Sequence, residues 1–240
     1  MSSIINSINW KALGLPIILA QLLFISSCNE EIEPNVDFFG YEYYPLTVGD
    51  YRIYHTSTTY YNLDGSIDSA KYLVKEIAEE SVLFTDGNTR IILGRYSKEI
   101  NDLEWKKDSI WAVLMDDQKI VVSEANVDYV KLVFPVAEEK EWDGNATNAE
   151  QSEFYSIINL NKSYSYDTLT YENALTVVHN DLLDPAKITE DDVRFEVFAK
   201  DVGLIHKYRK KINYCSGCTE NGKIDDGFIF EQKLIEFGQE

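Results

Sequence analysis

Apolar and polar residues alternate in short runs along most of this 240-residue chain, and turn residues interrupt them. The stretch VGDYRIYHTSTTYY, residues 48–61, is rich in Tyr, Thr and Ile, which suit a pleated, half-buried surface. NLDG at 62–65 is a turn signal, and alternation returns through SIDSAKYLVKEIAEE, residues 66–80. VLFTDGNTRIILGRYS, residues 82–97, has a cleaner hairpin pattern: apolar run, Asp86-Gly87, apolar run. Residues 103–124 repeat that plan around Asp116-Asp117. Two more strands are expected around residues 159–166, and another pair about Asp201-Val202-Gly203. GFIFEQKLIEFG, residues 227–238, closes the series. Helical periodicity is poor, and its best candidate is a single turn within LLDPAKITEDDV, residues 182–193.

These patterns predict an all-β protein: an antiparallel meander forming a sandwich or a partly closed barrel. Closing a sheet also hides strand edges that would otherwise pair with other chains. YYPLTVGDYRIY at 43–54 and VFPVAEEKEWDGN at 133–145 share an order of aromatic, proline, apolar residues and strand. The echo admits two related lobes meeting near residues 130–135. Simple recurrence of a strand pattern accounts for it as well.

The N-terminus follows another pattern. Residues 1–11 carry one charge, Lys11, and residues 12–25, ALGLPIILAQLLFI, are almost all apolar. That run is shorter than the roughly 20 residues a spanning helix needs. With the small residues Ser26 and Ser27 after it, it reads as a secretory signal peptide over residues 1–27. Ile25-Ser26-Ser27-Cys28 resembles the bacterial lipobox. The resemblance implies cleavage before Cys28 and a diacylglycerol thioether on its thiol, with acyl chains such as palmitate anchoring the chain. The competing reading is an ordinary signal peptide or uncleaved anchor with an incidental cysteine. NEEIEPN then begins an acidic, flexible tether over 28–40, ahead of a β domain over 41–240. Acids directly after a lipidated cysteine resemble the surface-export signal of Bacteroidota lipoproteins, and a solvated linker is the plainer alternative.

YYPLTVGDYRIY, KLVFPVAEEKEWDGN, VFAKDVGLIHKY and FEQKLIEFG resemble recurring segments of Bacteroidota outer-membrane lipoproteins without assigned function. The resemblance implies an anchored β protein of the outer membrane, displayed on the cell surface if the export signal operates. It carries no catalytic residue.

Composition narrows the function. A chain 45% hydrophobic and 13% aromatic supports a packed core. A net charge of −19 repels nucleic acid and anionic lipid surfaces, so the expected membrane contact is the lipid anchor alone. Cys215 and Cys218, in YCSGC, predict a local disulfide in an exported protein. A redox pair would open a helix, and a closed zinc site would need two more ligands; neither pattern is present.

No familiar chemistry follows. His55, His179 and His206 lie in strand-like segments without metal-ligand spacing. Gly-x-Ser-x-Gly, the P-loop and the dinucleotide fingerprint are all lacking, and NGKIDDG at 221–227 falls short of a calcium loop. The sequence therefore predicts no catalytic residue, no metal and no cofactor. Among 41 acids a hydrolytic carboxylate pair would pass unseen. HKYRKK, residues 206–211, places Lys207, Arg209 and Lys211 on one strand face and Tyr208 and Lys210 on the other. That stripe either meets an acidic partner or neutralises neighbouring acids. The 16 tyrosines stack on sugar rings or pack the sheet. Ser69, Ser109 and Thr168 fit the Asp-[Ser/Thr]-apolar pattern of Bacteroidota O-glycosylation and would then face solvent.

The expected function is a lipid-anchored, non-enzymatic binding module of the cell envelope, with a glycan or envelope protein as partner. The alternatives are a carbohydrate-active hydrolase and a lipid-binding assembly factor.

Overall fold

The structure, a computed structural model, describes residues 39–182, 189–219 and 222–240. The signal peptide, Cys28, the tether up to residue 38 and residues 183–188 of the single-turn candidate lie outside the described residues.

Twelve strands are present: β1 (Asp50–Tyr61), β2 (Ile67–Leu83), β3 (Thr89–Glu99), β4 (Lys106–Met115), β5 (Lys119–Glu124), β6 (Val127–Val133), β7 (Glu141–Asp143), β8 (Phe154–Tyr166), β9 (Leu169–Leu182), β10 (Glu190–Ala199), β11 (Gly203–Tyr214) and β12 (Ile224–Gln239). They form one antiparallel sheet in the order β6-β5-β4-β3-β2-β1-β12-β11-β10-β9-β8-β7. Consecutive strands pair, except β6 and β7, which form the two edges, and β1 joins β12 at the middle of the sheet. This is the expected all-β meander, and it takes the nearly closed barrel form.

The two edges, β6 and β7, meet. Val130 N donates to Gly144 O (2.9 Å), just past β7. Trp142 Nε1 donates to Val130 O (2.8 Å), and Thr147 Oγ1 and Asn148 Nδ2 both donate to Asp128 O (3.0 and 2.8 Å). Groups that an open sheet would leave unpaired are thereby satisfied within the chain.

Turn chemistry sets the hairpins. Gly65 and Gly87 take φ of 83° in the β1–β2 and β2–β3 turns. Asp116 Oδ1 accepts from the backbone N of Gln118 and Lys119 between β4 and β5. Two details differ from expectation. The β8–β9 turn falls at Asp167-Thr168, not within 159–166. Asn159 and Asn161 instead take positive φ inside β8, where pairing jumps from Ile158↔Thr176 to Lys162↔Ala174. Asparagine tolerates left-handed backbone, so the same residues serve a turn or a bulge. Residues 190–193, the end of the single-turn candidate, open β10.

Two apolar clusters hold the fold. The larger lies where the sheet curls on itself and includes Leu93, Val113, Leu132, Trp142, Ile157, Leu175 and Phe198. In the second, Tyr166 of β8 and Ala174 of β9 pack on Val197, Ala199 and Ile205 of β10 and β11. Residues 39–49 close one end: Tyr43 and Leu46 are buried, and Arg52 donates to Pro45 O (2.5 Å) and Val202 O (2.7 Å).

A charged cavity as candidate functional site

Period-2 alternation turns one set of side chains inward on every long strand. The inward set comprises Arg52, Tyr54 and Tyr60 on β1; Tyr72, Val74 and Glu76 on β2; and Leu93 and Arg95 on β3. Asp108 and Trp111 (β4), Val122 and Glu124 (β5) and Lys131 (β6) continue it. Glu196 and Phe198 (β10), Lys207 and Arg209 (β11) and Phe228, Phe230 and Gln232 (β12) complete it. Together they line a cavity of about 330 Å³. Tyr60 (50% exposed) and the exposed Asp108 place its opening at the end carrying the β1–β2 and β3–β4 turns. Buried Tyr54 and Phe198, with Tyr44 nearby, form the closed end.

Four ionised groups form a ring in the wall. Lys131 Nζ lies 2.6 Å from Glu124 Oε1 and 3.0 Å from Glu196 Oε1. Lys207 Nζ lies 3.1 Å from Glu196 Oε1 and 3.4 Å from Glu124 Oε2. Lys131, Lys207 and Glu196 are all buried. Burial alone would push each group toward its neutral form. For both glutamates the two ammoniums outweigh burial and hold the carboxyl below the usual range. Lys131, with the closer contacts, is held above its ordinary value by Glu124 and Glu196 despite burial. For Lys207, whose contacts are longer, burial prevails and lowers the value.

Aromatic and cationic groups surround the ring. The Arg95 guanidinium lies 3.8 Å over the Trp111 ring and donates to Glu76 (3.0 Å). Lys207 Nζ is 5.8 Å from the same indole. His179 stacks on Tyr155 at 3.9 Å, with Nε2 3.9 Å from Glu196 Oε2. Burial pushes its imidazole down to about 3, so it is neutral at pH 7. Among the described residues, three buried side-chain polar atoms lack a hydrogen-bond partner: Thr56 Oγ1, His179 Nε2 and Arg209 Nε. Arg209 lines the cavity, His179 adjoins the ring, and Thr56 pairs in register with the lining residues Tyr72 and Gln232.

A second polar constellation lies on the opposite face of β11. Tyr164 Oη is 2.5 Å from His206 Nδ1, and His206 Nε2 is 3.1 Å from Glu231 Oε1. Burial raises the Tyr164 phenol to about 12 and lowers His206. Phe195, Tyr166 and Tyr208 pack around the imidazole, so this is a packed polar node with an unactivated phenol.

Of the residues singled out in the sequence, Lys207, Arg209 and His179 lie in or beside the cavity, and the predicted disulfide and glycosylation residues fall elsewhere. Cys215 and Cys218 are joined in a disulfide in the β11–β12 connection. Ser69 and Thr168 are exposed, on β2 and in the β8–β9 turn. Ser109 on β4 is half-buried and donates to Asp108 (3.0 Å). The basic run divides: Lys207 and Arg209 point into the barrel, while Lys210 pairs with Asp191 at 2.5 Å. Of the two readings of the stripe, neutralisation of neighbouring acids holds for Lys207, which is buried against the barrel's own glutamates, and for Lys210. Glu124, Lys131, Glu196, Arg95 and Trp111 were not singled out in the sequence, because each is an ordinary strand residue until the sheet closes.

Comparison with protein-family models, curated proteins and solved structures finds no match to this chain.

Proposed function

We propose that the protein is a non-catalytic binding protein that takes a small amphipathic molecule into the barrel. The observation that carries this reading is the cavity: about 330 Å³, open at one end, aromatic on several walls and charged on others. Those are the usual properties of a small-molecule site. An acyl chain suits it poorly, since Arg52, Arg95, Lys131, Lys207 and Arg209 all reach the wall. The hydrolase alternative needs one carboxyl kept protonated as the acid. Glu124 and Glu196 are both biased toward the ionised form, which favours binding over hydrolysis.

The barrel would work at the outer membrane, held by lipid on Cys28, with residues 28–40 spacing it from the surface. That location rests on the lipobox resemblance. Cys28→Ala is expected to release the protein from membrane fractions; retention there overturns the anchor.

The binding reading is tested by calorimetric titration of the full chain with the planar neutral probe 2-naphthamide, detergent blanks subtracted. Saturable one-to-one binding that weakens about tenfold or more in Trp111→Ala is expected for an aromatic wall. Absence of saturable binding both of this probe and of its carboxylate counterpart 2-naphthoate, or binding indifferent to Trp111, overturns this reading.

A further inference from the structure

The cations of the cavity wall divide into those with partners and one without. Arg52 is committed to two backbone carbonyls. Arg95 is committed to Glu76. Lys131 and Lys207 share Glu124 and Glu196, two ammoniums against two carboxylates, so the ring is balanced. Arg194, opposite Arg209 on β10, is taken up by Asp192 and Glu153, each at 2.6 Å. Arg209 alone among these makes no hydrogen bond or ion pair with any described residue, and its Nε is buried. Asp108, the remaining acid of the wall, sits exposed at the mouth.

A buried guanidinium nitrogen without an acceptor costs the full desolvation of a charged donor. Fixed on a β-strand, it also presents a planar fork matched to an oxyanion. Phe230 lies directly opposite on β12, and Phe228, Tyr72 and Trp111 extend the apolar wall. We propose, resting on the binding reading above, that Arg209 receives the oxyanion of the ligand and that the ligand is a small organic acid: a planar ring bearing one carboxylate. The single charge follows from the bookkeeping of the wall. The wall holds five cations, Arg52, Arg95, Lys131, Lys207 and Arg209, against four carboxylates, Glu76, Asp108, Glu124 and Glu196, which leaves one positive charge to be met. A phosphate dianion would bring excess negative charge beside Glu196 and Glu124, whereas a monocarboxylate would not.

The full chain is titrated calorimetrically with 2-naphthoate and with its uncharged near-isostere 2-naphthamide, for the wild type and for Arg209→Gln and Arg209→Lys. The wild type is expected to prefer naphthoate by roughly tenfold to a hundredfold, the effect of one charge-assisted pair. Arg209→Gln is expected to remove the preference by weakening naphthoate far more than naphthamide, and Arg209→Lys to retain part of it. Equal affinity for the two probes in the wild type, or a preference that survives Arg209→Gln, overturns the assignment while leaving the binding reading standing. If neither probe binds, the binding reading itself has failed, and the assignment with it. Should Arg209→Gln not fold, the naphthoate-to-naphthamide ratio of the wild type decides.

Discussion

Lys207 on β11 and Glu196 on β10 stand in direct register, and their charged atoms meet 3.1 Å apart inside the barrel. Glu196 also serves Lys131, so removing its carboxylate leaves two buried ammoniums sharing Glu124 alone. Breaking a buried charge pair by deleting one partner costs about 3–5 kcal/mol, because the survivor stays desolvated and unpaired. Glu196→Ala is expected to lose that much stability in urea denaturation. Replacing both partners, Glu196→Leu with Lys207→Met, should recover much of it. A single substitution costing under about 1 kcal/mol would show that the ring contributes little.

The neutral state of His179 makes stability depend on pH. Its folded value is depressed to about 3, against about 6.5 in the unfolded chain. The unfolded state therefore binds more protons below pH 6.5, and the contribution is lost as pH falls. Between pH 7 and 5 this amounts to about 2 kcal/mol. His206 is also depressed by burial and acts with the same sign. The carboxylates contribute only lower down, as pH falls through the unfolded range near 4.3. His179→Phe retains a ring to stack on Tyr155 and should lose about 2 kcal/mol less than the wild type over this interval. Parallel stability curves for the two proteins between pH 7 and 5 would contradict it.

The hairpins were legible because turn chemistry is local: Asp86-Gly87, Asp116-Asp117 and Asp201-Val202-Gly203 each act within a few residues. The cavity was not. In VRFEVFAK, residues 193–200, alternation sets Phe195, Val197 and Ala199 on one face and Arg194, Glu196 and Phe198 on the other. Taken alone, the first face is the core and the second is solvent. In the fold both are covered. The β8–β9 hairpin packs on the apolar face, and the charged face lines the barrel. HKYRKK shows the same limit: its alternation does not name the acids that the stripe neutralises. The partners of its Lys207 are 83 residues away at Glu124 and on the next strand at Glu196, and Lys131 reaches Glu196 across 65 residues. Period 2 reveals that a strand has two faces; closure of the sheet decides what each one meets.

Gly227 marks where β12 approaches β11 too closely for a side chain. Its φ is 141°, and a Cβ there would stand 2.2 Å from Lys211 O and 2.8 Å from Ile212 Cα, both main-chain atoms. Neither can move without shifting the ladder. Gly227→Ala should destabilise by about 2 kcal/mol or more, from backbone strain and steric displacement together. Gly217, with nothing within 4 Å and no positive φ, is the control, and Gly217→Ala should stay within about 0.5 kcal/mol. Equal effects of the two substitutions on the urea midpoint would refute the argument.

Thr56 offers a substitution of opposite sign. The residue is fully buried, and its Oγ1 has no hydrogen-bond partner among the described residues. An unsatisfied buried hydroxyl forfeits the water it had in the unfolded chain and gains nothing in return. Valine preserves the shape and the β-branched fit to β1 while removing that cost. Thr56→Val is therefore expected to stabilise the protein by about 1 kcal/mol, read as a raised urea midpoint with unchanged m-value. Thr56 pairs with Gln232 on one side and Tyr72 on the other, both of which line the cavity. A destabilised Thr56→Val would mean instead that the hydroxyl is satisfied within the fold.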